Sequence, residues 1–85
     1  LACVISAHTD RVPVLDGHTM TVSVEFARRV PPEDVVAAMR AFRGRPQELG
    51  LPSAPVPAIE VMDEPNRPQP RLDADRGDGM TVSVG

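Results

Sequence analysis

DGHTMTVSVEF, the stretch at residues 16–26, carries the clearest structural signal in this sequence. Its turn dipeptide, Asp16-Gly17, is followed by strict alternation of apolar and polar residues over 20–26. Such alternation predicts a β-strand with one buried face and one wet face. Asp-Gly indicates a two-residue hairpin turn, because both of its positions tolerate the positive φ of a type I′ turn. We therefore predict that residues 11–15 form the strand before the turn.

A helix is predicted over residues 32–43. It opens with prolines and two acidic residues, which suit the first turn of a helix and its partial positive charge. Apolar residues then recur at helical spacing. Gly44 and Pro46 are typical of the residues that follow a helix end.

Two further segments suit strands on either side of a long excursion. The apolar residues 2–7 precede the hairpin, and residues 80–84 repeat residues 20–24 letter for letter. Between the helix and that last strand, residues 45–78 are interrupted by prolines, with room for one short strand at 58–62. This order predicts an α+β fold, with a mainly antiparallel sheet, one covering helix and a proline-rich excursion.

Composition predicts a small core and excludes several classes of function. The chain has 85 residues, two Phe, no Trp and no Tyr, so we expect other elements or a partner subunit to complete the sheet. A net charge of −3 argues against nucleic acid as a partner. The chain has no apolar run near the roughly 20 residues of a membrane span. A single Cys excludes an internal disulfide and fits a reducing compartment such as the cytoplasm.

Arg11 and His18 are the candidate site residues. A guanidinium grips a carboxylate or phosphate through two parallel hydrogen bonds. An imidazole moves protons near neutral pH. If Asp16-Gly17 closes a two-residue turn, Arg11 and His18 lie on one side of the sheet with Cα atoms about 13 Å apart, which suits a small acidic ligand. The alternatives are a surface arginine paired with Asp10 or Asp16, and a histidine bonded to a backbone carbonyl.

Other reactive side chains lack the companions that chemistry needs. Cys3 lies in an apolar strand without a neighbouring base, so we expect a buried, inert thiol. His8 precedes a polar turn and is interpreted as solvated or structural. Asp73, Asp75 and Asp78 do not match the calcium-hand motif, and the His and Cys residues lack zinc spacing. The sequence has neither G-x-G-x-x-G nor a Walker loop. We therefore predict no metal ligand and no cofactor-binding residue in this chain.

Three stretches, in order along the chain, resemble one enzyme family. SAHTDRVPVLDGHT at 6–19 is similar to the signature region of aspartate-semialdehyde dehydrogenase. NRPQPRLD at 66–73 and GMTVSVG at 79–85 resemble the archaeal and fungal-like branch of that family. The similarity runs over the whole chain with compatible spacing.

The resemblance implies a two-domain enzyme that reduces L-4-aspartyl phosphate to aspartate semialdehyde with NADPH. This reaction belongs to the biosynthesis of lysine, threonine and methionine. Residues 1–85 would be the later part of the catalytic and dimerisation domain, and the NADP-binding Rossmann domain would lie outside them. By matching position, Arg11 would hold the substrate carboxylate, and His18 would be the general acid/base on the thiohemiacetal. The resemblance also implies a homodimer or a homotetramer formed through this domain.

The sequence departs from a complete enzyme of this kind in two respects. It lacks the glycine-rich nucleotide loop, and Cys3 has no Asn-Cys context of the family's nucleophile. We therefore expect these residues alone to be inactive. Related acyl reductases remain alternatives, namely malonyl-CoA reductase and N-acetyl-glutamyl-phosphate reductase. A non-catalytic oligomerisation module is the alternative from another class.

Overall fold

A computed structural model describes residues 3–85. They form three helices and four strands, and the strands pair into two small sheets. In chain order the elements are β1 (Cys3–Asp10), β2 (Thr19–Phe26), α1 (Pro32–Arg40), α2 (Arg45–Glu48), β3 (Ile59–Val61), α3 (Pro70–Asp73) and β4 (Val82–Val84). The predicted α+β class is confirmed in this coarse form. The predicted single sheet is wrong, because β1 pairs only with β2, and β3 pairs only with β4, within the described residues.

The first sheet is an antiparallel hairpin, as the alternation predicted, but its turn is not the predicted one. Asp10 pairs with Thr19, so residues 11–18 form a wide loop between the strands. The prediction of a strand over 11–15 closed by Asp16-Gly17 is therefore wrong. Gly17 has a positive φ of 105° whereas Asp16 does not, and a type I′ turn needs positive φ at both positions.

One face of this hairpin carries nearly all of its apolar side chains. Ile5 lies opposite Val24, and opposite residues of an antiparallel pair share a face. Met20 and Val22 belong to the same face because residues two apart on a strand point the same way. Ile5, Met20 and Val22 remain 59%, 57% and 48% exposed. The hairpin therefore presents an uncovered apolar face, defined here as residues 5, 20, 22 and 24.

α1 begins where predicted and ends earlier. Pro31 caps it, and the acidic residues Glu33 and Asp34 occupy its first turn, where they complement the helix dipole. The predicted end at residue 43 is wrong because the helix ends at Arg40. Gly44 is instead the N-cap of α2, and its backbone N–H donates to Gln47 Oε1 at 3.0 Å.

The proline-rich excursion is more ordered than its composition predicts. It contains α2, α3 and β3, which lies within the predicted strand at 58–62. β3 and β4 run parallel, with Ile59 opposite Val82 and Val61 opposite Val84. α1 packs mainly against β3 of this second sheet. The predicted antiparallel character holds only for the hairpin.

Apolar burial in the described residues is small. Met62 is the only buried hydrophobic residue, and Asp73 is the only buried charged one. Folded stability in water comes mainly from apolar burial, so we expect this amount to be too little to offset the chain entropy.

We therefore predict that the 85-residue chain alone has no cooperative thermal transition and no reductase activity. Circular dichroism melting and an assay of NADP-dependent turnover check this. A sharp two-state melt, or measurable turnover by the isolated chain, would contradict it.

Candidate active site and the ion cluster behind it

Arg11 and His18 stand at the two ends of the loop between β1 and β2. Arg11 follows the last residue of β1, and His18 precedes the first residue of β2. Because Asp10 and Thr19 are directly paired, the Cα atoms of Arg11 and His18 lie within about 13 Å of each other, from the usual pair spacing and one residue step on each side. The hairpin register thus brings the two predicted site residues together, although the predicted turn is absent.

Neither side chain makes a hydrogen bond or an ion pair in the part of the chain that the structure describes. Arg11 and His18 are exposed. None of the ion pairs among residues 3–85 includes Arg11. The Asp10 carboxylate instead accepts a hydrogen bond from Thr21 Oγ1 at 3.0 Å. The alternative of an arginine paired with Asp10 or Asp16 is therefore not what the structure shows.

The loop itself rests against α3. Within it, the Val14 N–H donates to the Val12 carbonyl at 2.9 Å. A β-carbon on Gly17 would lie 3.5 Å from Pro70 Cβ and 3.8 Å from Ala74 Cβ, which is ordinary van der Waals distance. Gly17 has no β-carbon of its own, so these distances show a close approach of its backbone to Pro70 and Ala74 and not a packed contact. We call this close approach the seat of the loop.

Asp73, the last residue of α3, is the centre of an ion cluster. Its side chain is only 3% exposed. Arg67 donates to both carboxylate oxygens, with Nε 2.9 Å from Oδ2. Arg76 Nε donates to Oδ1 at 2.8 Å, and the Gln69 backbone N–H donates to Oδ2 at 2.7 Å. Each carboxylate oxygen thus has two donors, which is what a buried charge requires.

These hydrogen bonds shift the pKa values of Asp73, Arg67 and Arg76. The hydrogen bonds from Arg67 are the largest cause that holds the pKa of Asp73 well below its usual range; burial acts in the opposite direction. The backbone N–H of Gln69 and the side chain of Arg76 lower it further. The hydrogen bonds to Asp73 likewise raise the pKa of Arg67 and of Arg76.

The cluster also ties α3 to the second sheet. Arg76 Nη1 donates to Glu60 Oε1 on β3 at 2.6 Å. At the end of β4, a β-carbon on Gly85 would overlap the carbonyl oxygen of Arg67, so the two backbones meet closely there. α3 is thereby fixed to both strands of the parallel pair. We define the ion cluster as Glu60, Arg67, Asp73 and Arg76.

The remaining candidates have no site around them. Cys3 is only half-buried, although the sequence predicts a buried thiol. The reason is that the hairpin face on which it lies is uncovered. His8 is exposed, with Nε2 3.4 Å from Ser6 Oγ. Within residues 3–85, no group of three His, Cys, Asp or Glu side chains could hold a metal ion. No helix in that part of the chain is long and apolar enough to cross a membrane.

Sequence reasoning missed the ion cluster. Asp73 was considered as a candidate ligand only through its spacing to Asp75 and Asp78, as a poor calcium motif, although it also ends the stretch at 66–73 that carries the family resemblance. A better local signal was the Asp73–Arg76 spacing, because residues three apart on a helical turn are neighbours. The contribution of Glu60 has no local signal, since it depends on how β3 packs.

The chain belongs to the family described as semialdehyde dehydrogenase, dimerisation domain, which matches residues 2–85. The resemblance of the three stretches predicted this family, and the match confirms that prediction.

Relatives of the chain include aspartate-semialdehyde dehydrogenases of archaea and fungi. The chain is 53% identical over 81 residues to the enzyme of Methanothermobacter thermautotrophicus and 51% identical over 83 residues to that of Candida albicans, with 95% of the chain covered in both. A crystal structure of the Candida albicans enzyme with NADP superposes on 86% of this chain with a TM-score of 0.71 and 51% identity. The chain spans only 23% of the length of those two curated relatives and 21% of the crystallised chain.

We predict that Asp73→Asn changes how stability depends on acid. The pKa of Asp73 is lower in the folded state than in the unfolded chain, so its contribution is present above about pH 4 and is lost as pH falls through the folded pKa. In the full polypeptide, the free energy of unfolding should fall less steeply between pH 4 and pH 2 for Asp73→Asn than for the wild type. Urea unfolding at each pH measures this.

Asp63→Asn is the matched control for this acid effect. Asp63 pairs with Arg40 at 2.6 Å, but its side chain is 86% exposed. Exposed pairs contribute only about 0.2–1 kcal/mol, so this variant should follow the wild-type curve closely. Parallel curves for wild type and Asp73→Asn would contradict the prediction.

Proposed function

We propose that this chain carries the substrate-gripping and proton-transferring part of the active site of an NADP-dependent aspartate-semialdehyde dehydrogenase. The full protein reduces L-4-aspartyl phosphate to L-aspartate 4-semialdehyde with release of phosphate. It acts in the cytoplasm, in the biosynthesis of lysine, threonine and methionine. Residues 1–85 form the later part of its catalytic and dimerisation domain.

The observation that carries this proposal is the placement of Arg11 and His18. They stand at the neighbouring ends of one loop, and neither is engaged by the rest of residues 3–85. The chain that holds them is about half identical to enzymes whose name states this activity. A permanent cation and a titratable base that are both available at one place suit a small acid that undergoes proton transfer.

Arg11 binds and orients the substrate. Its planar guanidinium donates two parallel hydrogen bonds to the α-carboxylate of the aspartyl group. This fixes the acyl carbon relative to the attacking sulfur, which comes from a cysteine outside this chain. Holding the reacting atoms in line supplies a large share of the rate in such reactions.

His18 moves the proton. As the thioester is reduced, the developing oxyanion takes a proton from the imidazolium of His18 and becomes a thiohemiacetal. The neutral imidazole then takes the hydroxyl proton back, the C–S bond breaks, and the aldehyde and the thiolate separate.

NADPH supplies the hydride when it is bound. Residues 3–85 contain no strand followed by a glycine-rich loop and a helix, so they do not provide the usual dinucleotide site. The nucleotide is therefore held mainly by parts of the protein outside this chain.

We predict different kinetic defects for Arg11→Ala and His18→Ala in the full protein. Loss of a charged hydrogen-bonding group costs about 2 kcal/mol, so KM for the substrate should rise roughly 30-fold in Arg11→Ala. Loss of a general acid/base should lower kcat by roughly 10²- to 10⁴-fold in His18→Ala. Steady-state kinetics with aspartate semialdehyde, phosphate and NADP⁺ measures both in the reverse direction.

Three outcomes distinguish the alternatives. Full turnover in both variants would favour a non-catalytic oligomerisation module. Wild-type activity on malonyl-CoA or on N-acetyl-glutamyl phosphate, with none on aspartyl phosphate, would favour a related acyl reductase. Arg28→Ala is the control, because Arg28 is an exposed arginine outside the loop and should leave KM unchanged.

We also propose that the full protein is a homodimer, or a homotetramer built from such dimers. The family description names dimerisation, and the hairpin leaves its apolar face uncovered. Burying an exposed apolar face against a second copy is a common way to complete a sheet. The apolar face is therefore proposed as part of the subunit contact.

Val22→Lys should convert the full protein to a smaller species, because a charge at the centre of the apolar face cannot be buried without a partner. Thr21→Lys is the matched control, since Thr21 is the next residue on β2 and points to the opposite face. Sedimentation velocity measures the mass of each variant. A Val22→Lys protein of unchanged mass would rule out this face as the contact.

A further inference from the structure

We propose that Asp73 is a positioning residue for the loop that carries Arg11 and His18. In this assignment, the ion cluster holds α3 rigid, and α3 is the platform on which Gly17 seats the loop. Asp73 touches neither substrate nor cofactor and acts through the backbone next to His18. The inference rests on the function proposed above and adds a residue set that supports it.

The loop lacks the internal bonding that would fix its own shape. Within residues 11–18 the backbone makes one hydrogen bond, between Val14 and Val12, and Leu15 is fully exposed. An exposed loop of this length samples many conformations unless another element holds it. The close approach of the Gly17 backbone to Pro70 and Ala74 is the place at which α3 restricts the loop in this proposal.

Pro70 and Ala74 lie at either end of the segment that Asp73 locks. The Asp73 carboxylate binds the backbone N–H of Gln69, immediately before Pro70, and Asp73 itself is bonded to Ala74. The Ala74 N–H donates to the Pro70 carbonyl at 3.0 Å. Both residues that the Gly17 backbone approaches are therefore held through the same carboxylate.

A platform of this kind needs an anchor, and the cluster supplies one. Arg76 connects Asp73 to Glu60 on β3, and Arg67 connects it to the backbone beside Gly85. The Asp73→Asn change leaves two half-buried arginines without their shared carboxylate. α3 then shifts, and displacement of a catalytic group by about 1 Å is sufficient for a large loss of rate.

A double-mutant cycle on the full protein tests the proposal. Asp73→Asn, Gly17→Ala and the double variant are assayed with aspartate semialdehyde, phosphate and NADP⁺. The methyl group of an alanine at position 17 fits beside Pro70 and Ala74, but the residue does not tolerate the positive φ of 105°, so the strained loop moves relative to α3. We expect each single variant to lose at least tenfold in kcat/KM. The kcat/KM of the double variant should be no lower than about half that of the less active single variant, because both changes act at one place.

Controls separate positioning from general destabilisation. Each assay is run at least 15 °C below the melting temperature of the variant, and Asp73→Glu should restore part of the lost kcat/KM. Asp63→Asn, which breaks the exposed pair with Arg40, should stay within twofold of wild type. If Asp73→Asn does not fold, Arg76→Gln, which weakens the cluster without removing its carboxylate, takes its place in the same cycle.

The outcomes differ for this inference and for the proposed function. Multiplicative losses in the cycle, or a folded Asp73→Asn protein within twofold of wild type, overturn the role of Asp73 while leaving Arg11 and His18 untouched. Full activity of Arg11→Ala and His18→Ala overturns the proposed function and with it this role. Non-additive losses, with Arg11→Ala and His18→Ala both impaired, support the two together.

Discussion

The burial of one carboxylate, that of Asp73, organises the second half of the chain. A charge that is removed from water is tolerated only when its hydrogen-bonding capacity is filled, and here two arginines and a backbone N–H fill it. Arg67 and Gln69 precede α3, whereas Arg76 follows it. The hydrogen bonds to Asp73, more than apolar packing, therefore fix how these segments are arranged, because Met62 is the only buried hydrophobic residue in the described part of the chain.

The same constraint explains why reactive groups can sit on an exposed loop. Functional side chains are commonly carried on loops that a rigid scaffold positions. Arg11 and His18 have no bonded partners within residues 3–85, so their placement depends on the two strands behind them and on the seat of Gly17. A free guanidinium and a free imidazole are available to a substrate, and the order they need is supplied from outside the loop.

Local patterns predicted the elements whose cause is local. The alternation over 20–26 places β2 within one residue of its start in the structure, and the proline-acid opening places the start of α1. The turn was not predictable in this way. Asp16-Gly17 has the residues of a tight turn, but pairing over the full length of β1 and β2 sets the register, and Asp10 meets Thr19. A cross-strand preference summed over the hairpin outweighs one dipeptide.

The residues of the site also differ in whether their role follows from local sequence or from tertiary contacts. Arg11 and His18 were identified because their chemistry and their sequence context are both visible in one short stretch. The cluster around Asp73 was missed because its burial depends on Glu60, on Arg67 and on the close approach of Gly85, which lie in separate segments. Groups that react are easier to recognise from the sequence than the groups that hold them in place. A supporting residue is recognised only when its burial and all of its partners are seen at once.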